Sequence, residues 1–373
     1  MSGRPATRVV RAGLPGPHDG EPFLPGPVFA APFHLSGPID ASPYGYARYA
    51  NPTWSGYEAA LGELEGGEAV LFSSGMAAVA AVLATLVEGD VAVVPGDAYP
   101  GVAMIAAQQL APRGVEVRVV ASDAGEIMAA LPGATLVWVE TPSNPGLAVL
   151  DVTTLAAAAH EAGALLAVDN TLATPLSQRP LALGADVSVA SASKFLTGHS
   201  DLVLGYVAVA DPERAAALRG WRGLIGAIAG PFETWLAHRS LATLDVRHER
   251  QCATALQLAT VLDGRPGVAD LRYPGLPGHP GHELAARSFG GRFGAVVCFD
   301  LQTEERAQAF LGACRLIDEA TSFGGAHSSA ERRLRWGSDD VSPGFVRLSV
   351  GLEDAGDIVA DVLAALDSAT AGD

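Results

Sequence analysis

Cysteine is scarce: the chain has three, Cys252, Cys298 and Cys314, in neither CxxC spacing nor any regular pattern. An odd, sparse set argues against a disulfide framework and suits a reducing compartment. No metal site is assigned. Charge is also thin, with 17% charged residues, and it is skewed: 24 basic against 41 acidic side chains give a net charge of −17. A field of that sign repels a phosphate backbone, and no basic patch interleaved with aromatics is present, so nucleic acid is not an expected partner. Long apolar runs are missing too. The longest, Ala77 to Val87, falls short of the roughly 18 residues a membrane span needs. The opening MSGRPATRVVRAG has no apolar signal region. A soluble cytoplasmic protein with no membrane partner is the expectation.

What is present is a large supply of core material. The 373 residues are 49% hydrophobic, with mean hydropathy +0.25, enough for one large domain and a smaller one. Residues 1–45 are rich in Pro and Gly with little periodicity, yet include Val28, Phe29, Phe33 and Leu35. They read as an extended arm packed on another surface, a neighbouring subunit among the candidates, or else as a partly disordered leader.

Downstream the pattern alternates. SGYEAALGELE (55–65) reads as an amphipathic helix, Glu68 to Phe72 as a strand, and SSGMAAVAAVLATLV from Ser73 as a turn entering a buried helix. Strand, small-residue turn and helix N-terminus make a place to hold an anion on free backbone N–H groups. Further strands are expected at Val91–Val94, Val115–Val120, Thr135–Glu140, Leu165–Val168, Val187–Ala190 and Leu202–Ala210. Helices are expected around Gly101–Leu110 and Val152–Ala162, with Gly163 closing the latter. Such repeats predict an α/β fold with a mainly parallel sheet covered by helices. Near Pro231 the texture changes to a long helical pattern, Trp235 to Leu262. Strands at Ala295–Phe299 and Phe345–Val350, and helices at Thr303–Cys314 and Ile358–Leu366, then describe a smaller C-terminal α+β domain. The tail SATAGD reads as loose. The expected division is 1–45 (arm), 46–235 (large domain) and 236–373 (C-terminal domain).

The chain is organised around VSVASASKFLTGHSD (187–201), where a strand runs into a small-residue turn and Lys194 stands among hydroxyls. A lone lysine beside a loop is ordinarily a surface residue. Here three strand ends each offer something polar: ETPSNP after 139, DNT at 169–171 and SASK at 191–194. Asn144, Asp169 and Lys194 follow one another at equal intervals of about one β/α unit, so they converge on one rim of the sheet. A buried carboxylate near a lysine is also what a satisfied core ion pair looks like. An anion cradle at Ser73–Met76, an acid and an amine together match pyridoxal 5′-phosphate, which needs a lysine for its aldehyde and a carboxylate for its ring nitrogen.

The motifs YARYANPT (46–53), SSGMAA (73–78), ETPSNP (140–145), VDNT (168–171), SASKFLTGHSD (191–201), GPFETWLAHRSLATL (230–244), YPGLPGHPGH (273–282) and RLSVGLED (347–354) resemble those of the Cys/Met metabolism PLP-dependent enzymes. That family includes cystathionine γ-lyase, cystathionine β-lyase, cystathionine γ-synthase and methionine γ-lyase. The resemblance implies an aspartate aminotransferase-like fold (fold type I), with helices on both faces of the sheet. It implies a catalytic set of Lys194, which holds the cofactor and then acts as acid and base, Asp169, which pairs with the ring nitrogen, and Tyr99, which stacks on the ring. It implies a phosphate cradle of Gly75, Met76, Ser191 and Ser193, completed by Tyr46 and Arg48 of a neighbouring subunit. Substrate would be held by Arg347, Asn144 and Ser322. The implied assembly is a homo-oligomer, a tetramer of two catalytic dimers, acting on a sulfur-containing amino acid.

Three departures from the family pattern bear on the substrate. Methionine γ-lyases usually carry a cysteine where this chain has Gly101; many γ-lyases and γ-synthases carry an arginine where it has Met104; and GGAHS places His327 where a glutamate is usual. Arg332, Arg333 and Arg335 read equally as recognising a distal carboxylate or as a solvated helix face. The pattern is most similar to bacterial cystathionine γ-lyases, which implies γ-elimination of cystathionine, with methionine γ-lyase and γ-synthase as alternatives.

Overall fold

Seven short apolar runs build the first sheet of the computed structural model, which describes residues 3–370. They are β1 (Glu68–Phe72), β2 (Val91–Pro95), β3 (Glu116–Val120), β4 (Leu136–Glu140), β5 (Leu165–Asp169), β6 (Val187–Ala190) and β7 (Gly205–Val209), in the order β1-β7-β6-β5-β4-β2-β3. Strands β2, β4, β6 and β7 are buried along their whole length, as expected where both faces are covered. β3 to β6 pair in parallel through β2, β4 and β5. β7 runs antiparallel to both β6 and β1. The segment joining β6 to β7 forms turns instead of a crossover helix, so the chain returns beside its own strand reversed.

Side chains alternate between two cores because a strand has period two. Phe72, Val94 and Val207 meet Val79, Leu83 and Leu218, and so α3 (Gly75–Leu83) and α8 (Pro212–Ile225) cover one face. Val93, Val137 and Val168 meet Ile127, Leu155 and Ala159 on the other. Before these helices in the chain come α1 (Pro5–Arg11) and α2 (Pro52–Glu65); between α3 and α8 lie α4 (Pro100–Ile105), α5 (Ala124–Ala130), α6 (Val152–Glu161) and α7 (Thr174–Ser177). α2 shows why such helices start and stop where they do. Asn51 caps it by accepting from the Thr53 N–H, Pro52 sits in the first turn, and Gly66 at φ 89° ends it.

After α9 (Pro231–Leu241) and α10 (Leu244–Leu262), the second sheet is β8 (Ala269–Arg272), β9 (Val296–Asp300), β10 (Asp318–Glu319), β11 (Ser329–Arg332) and β12 (Phe345–Ser349), ordered β10-β11-β12-β9-β8. The helices α11 (His282–Ser288), α12 (Glu304–Ala313) and α13 (Ala355–Thr370) lie between and after these strands. Leu258, Phe299, Phe310, Leu348 and Ile358 share its core. In β12, Val346 and Leu348 point into that core, so Arg347 and Ser349 take the opposite face, toward the first sheet.

The structure departs from the sequence reading in places. The single helical pattern from Trp235 to Leu262 is two helices, broken at Thr243, where the Ser240 carbonyl accepts from the Thr243 N–H and from Arg247. The expected helix at 101–110 narrows to α4 and continues as a wider turn over Ala106–Leu110. The region read as an extended arm begins with α1, whose Val9 is buried and which packs on α10 and α2 of its own chain. In the tail read as loose, Ser368 to Thr370 continue α13, and residues 371–373 lie outside the described residues.

Candidate active site

The carboxyl ends of the parallel strands open into a cavity of about 640 Å³ between the two sheets, where ligands bind in open α/β sheets. β4 ends in Glu140 and β5 in Asp169, and the strand register sets the two side by side. Both are buried. Burial pushes both carboxyls up, and the neighbouring Asp169 charge pushes Glu140 further; Thr171, donating from its backbone and hydroxyl, holds Asp169 back. Of the two, Glu140 is raised the more strongly and Asp169 is the one held back by hydrogen bonds. Glu140 also accepts from the Tyr99 N–H at 2.7 Å, which anchors the turn that carries the Tyr99 ring.

Beyond β6 the turn brings Lys194 into the same cavity. Its Nζ donates to Ser322 Oγ at 2.6 Å. Burial, assisted by the Arg347 charge, lowers the lysine to about 8. Ser322 is held at φ 80°, a conformation costly outside glycine and concentrated at functional sites. Two residues on, Gly324 passes so close to the lysine loop that a Cβ would lie 2.7 Å from the Phe195 nitrogen. Only glycine lets the two segments approach like this.

The turn between β1 and α3 supplies the opposite wall. Ser74 caps α3 by accepting from the Ala77 N–H, and helix geometry leaves the Gly75 and Met76 N–H groups without intrahelical acceptors. A Cβ on Gly75 would stand 2.9 Å from Ser191 Cβ, so its absence keeps this hollow open. Ser191 and Ser193 line it as well. The Ser193 hydroxyl donates to the Leu204 carbonyl at 3.0 Å and accepts from the Leu204 N–H at 2.9 Å. Its single proton is thus engaged, which leaves the helix N–H groups and Ser191 to face an anion.

Arg347 enters from β12. It donates to Asn144 Oδ1 at 2.7 Å, to the Ser322 carbonyl at 3.1 Å and to Glu331. Glu331, its cross-strand partner, is fully buried and also accepts from Arg333 at 2.7 Å and from the Trp336 indole at 2.8 Å. Asp339 takes the remaining edge of Arg333. This overturns the idea of a solvated helix face: β11 ends at Arg332, Arg333 is buried in the network, and Arg332 and Arg335 pair with Glu304 and Glu319.

Lys194, Asp169, Tyr99, Gly75 and Met76 therefore share one cavity with Ser191, Ser193, Asn144, Ser322 and Arg347. Tyr46 and Arg48 do not line it. Arg48 donates to the Gly223 carbonyl and stacks 4.6 Å over the Tyr49 ring, while Tyr46 is half exposed. Met104 is exposed outside the cavity, and His327 is at its rim. Glu140 and Glu331 escaped the sequence reading. The first stood inside a quoted motif; the second sat in a charged run with no strand signal.

The wider similarity agrees with this geometry. A Streptomyces coelicolor protein, provisionally named a cystathionine gamma-lyase, is 56% identical over 98% of this chain and 94% of its own length. The cystathionine gamma-lyase of Bacillus subtilis is 41% identical over 87% of this chain and 89% of its own. Among solved structures, the cystathionine gamma synthase of Xanthomonas oryzae pv. oryzae superposes with a TM-score of 0.94 at 35% identity, each chain covered completely. Residues 30–367 match the Cys/Met metabolism PLP-dependent enzymes, and the chain belongs to that family.

Proposed function

We propose that this protein is a carbon–sulfur lyase that cleaves L-cystathionine by γ-elimination, taking up water and releasing cysteine, 2-oxobutyrate and ammonia. The observation that carries the reading is a lysine amine of lowered basicity, fixed by Ser322, sharing a cavity with a buried acid and with Arg347.

The residues fit pyridoxal 5′-phosphate. The turn where a Cβ on Gly75 would collide with Ser191 offers free helix N–H groups, and the buried Asp169 stands in the same cavity as the amine. When bound, that cofactor supplies an electron sink that makes the protons next to the substrate's amino carbon removable. Gly75, Met76 and Ser191 would hold its phosphate, Asp169 its ring nitrogen, Tyr99 its ring face and Lys194 its aldehyde.

Arg347 would hold the substrate α-carboxylate with the two N–H groups that its bonds to Asn144, the Ser322 carbonyl and Glu331 leave over. Lys194 Nζ then takes the Cα proton. At a pKa of about 8 roughly a tenth of such amines are neutral at pH 7, against a far smaller share for an ordinary lysine. Removal of a Cβ proton must follow before the Cγ–S bond breaks, and Lys194 is the base within reach. Ser322 keeps the freed amine on that side. Tyr46 and Arg48, away from the cavity of their own chain, would complete the phosphate site of a neighbouring subunit in a dimer, two of which make the tetramer.

The names of the S. coelicolor and B. subtilis relatives support this reaction, and that of the X. oryzae protein favours a second reading, γ-replacement on an O-acylhomoserine. A methionine γ-lyase is less well supported: a side chain at Gly101 would have to begin 2.7 Å from the Tyr99 ring. The test is a product assay on the purified protein with L-cystathionine. We expect 2-oxobutyrate, lost in Lys194→Ala. Pyruvate would mean β-elimination, and product only with an activated homoserine plus cysteine would mean synthesis.

A further inference from the structure

We propose that Asp318 recognises an ammonium group at the far end of the substrate, so that the site selects thioether amino acids ending in a second amino group over simple S-alkyl ones. This rests on the γ-elimination reading and names what decides its substrate.

The charged groups on the inner walls of the cavity have partners, and Lys194, Asp169 and Arg347 are in addition assigned to the cofactor and to the α-amino acid end of the substrate. Lys194 has Ser322, Arg347 has Asn144 and Glu331, Asp169 has Thr171, and Glu140 has the Tyr99 N–H. Arg333, which reaches the cavity and would be the natural receptor for a distal carboxylate, is neutralised by Glu331 and Asp339. The outer wall differs. Asp318 lines the cavity and is exposed, and its carboxylate has no hydrogen-bond or ion-pair partner among the described residues. Its neighbour Glu319 is bound to Arg335 at 2.8 Å.

The backbone holds Asp318 in place. Its N–H donates to the Ser328 carbonyl at 3.1 Å, and β10 pairs in register with β11. Four residues on, Ser322 holds the reacting lysine, so the two Cα atoms are at most about 14 Å apart. The carboxylate thus lines the same cavity as the reacting lysine, on the segment that carries Ser322. His327, also at the rim, has no side-chain partner among the described residues and can share the distal group. With Arg333 compensated, the free charge of this wall is negative, which attracts a cation and not a carboxylate. A charge-assisted hydrogen bond there raises affinity for substrates that carry the second ammonium.

The experiment titrates the holoenzyme with L-cystathionine and with L-methionine, following the absorbance of the bound cofactor, in the wild type and in Asp318→Asn. The preference for L-cystathionine, taken as the ratio of the two affinities, should fall by about tenfold, and Asp318→Glu should restore part of it. An unchanged ratio would overturn the proposal, as would equal losses for both amino acids, which would indicate a structural role. If L-cystathionine keeps its preference in the wild type, loses it in Asp318→Asn and yet yields no 2-oxobutyrate, the γ-elimination reading falls and the role of Asp318 stands.

Discussion

Glu331 shows how much one side chain can carry. Two guanidiniums, Arg333 and Arg347, are buried beside it, and buried cations are tolerated only when paired and fully hydrogen-bonded. Glu331 bridges them and so fixes the plane in which Arg347 offers its N–H groups to a substrate. Glu331→Gln keeps the shape and removes the charge. It should raise KM for any α-amino acid substrate by about tenfold with a smaller effect on kcat, and cost about 3 kcal/mol of stability. Steady-state kinetics beside denaturant melts would check both; an unchanged KM would deny the positioning role. Lys194 could be picked out in the sequence because hydroxyls and glycines surround it. Glu331, written among arginines, looks like a surface residue until β11 is paired with β12.

The packing of α2 on the first sheet makes a second kind of statement, about pH. Glu65, the last residue of α2, is fully buried and accepts from the Tyr206 hydroxyl of β7 at 2.5 Å, and burial pushes it up from 4.5 to about 7. Between those values the folded chain binds a proton that the unfolded chain does not. The stabilisation is therefore complete below about 4.5 and is lost as pH rises through about 7. Glu65→Gln should abolish this dependence, removing about 3 kcal/mol of destabilisation between pH 5 and pH 8. Urea unfolding at the two pH values would show it. Equal slopes for variant and wild type would sink the argument. At this scale most strands were legible from their Val and Ala runs, since burial on both faces leaves no other composition workable. The break at Thr243 was not, because the apolar pattern of α9 carries on into α10 and only the Arg247 contact to Ser240 reveals the end.

The whole chain leaves large apolar side chains in solvent, among them Phe23, Phe29, Leu224 and Ile225. Exposed apolar surface of this kind marks association sites when it is contiguous. If Tyr46 and Arg48 act across a dimer, Arg48→Ala and Lys194→Ala subunits will complement each other. Each is expected to be nearly inactive alone, and their co-expressed mixture to recover about a quarter of wild-type activity, from the one intact site in each mixed dimer. Absence of recovery in a mixture shown by mass to contain mixed dimers would place both functions within one subunit.

By itself the sequence determined the α/β class, the seven strands of the first sheet in their chain order, the family, and the residues clustered at strand ends, because these depend on local periodicity and on motifs that sit next to each other in the chain. Tertiary structure alone decided the rest. It seated Glu331 against Arg347, committed the Ser193 proton to Leu204, buried Arg333 between two carboxylates and left Asp318 on the cavity wall with no partner among the described residues. Each of these depends on which groups meet across sheets and loops. A side chain's charge state and availability follow from those neighbours, whereas its identity alone leaves both open.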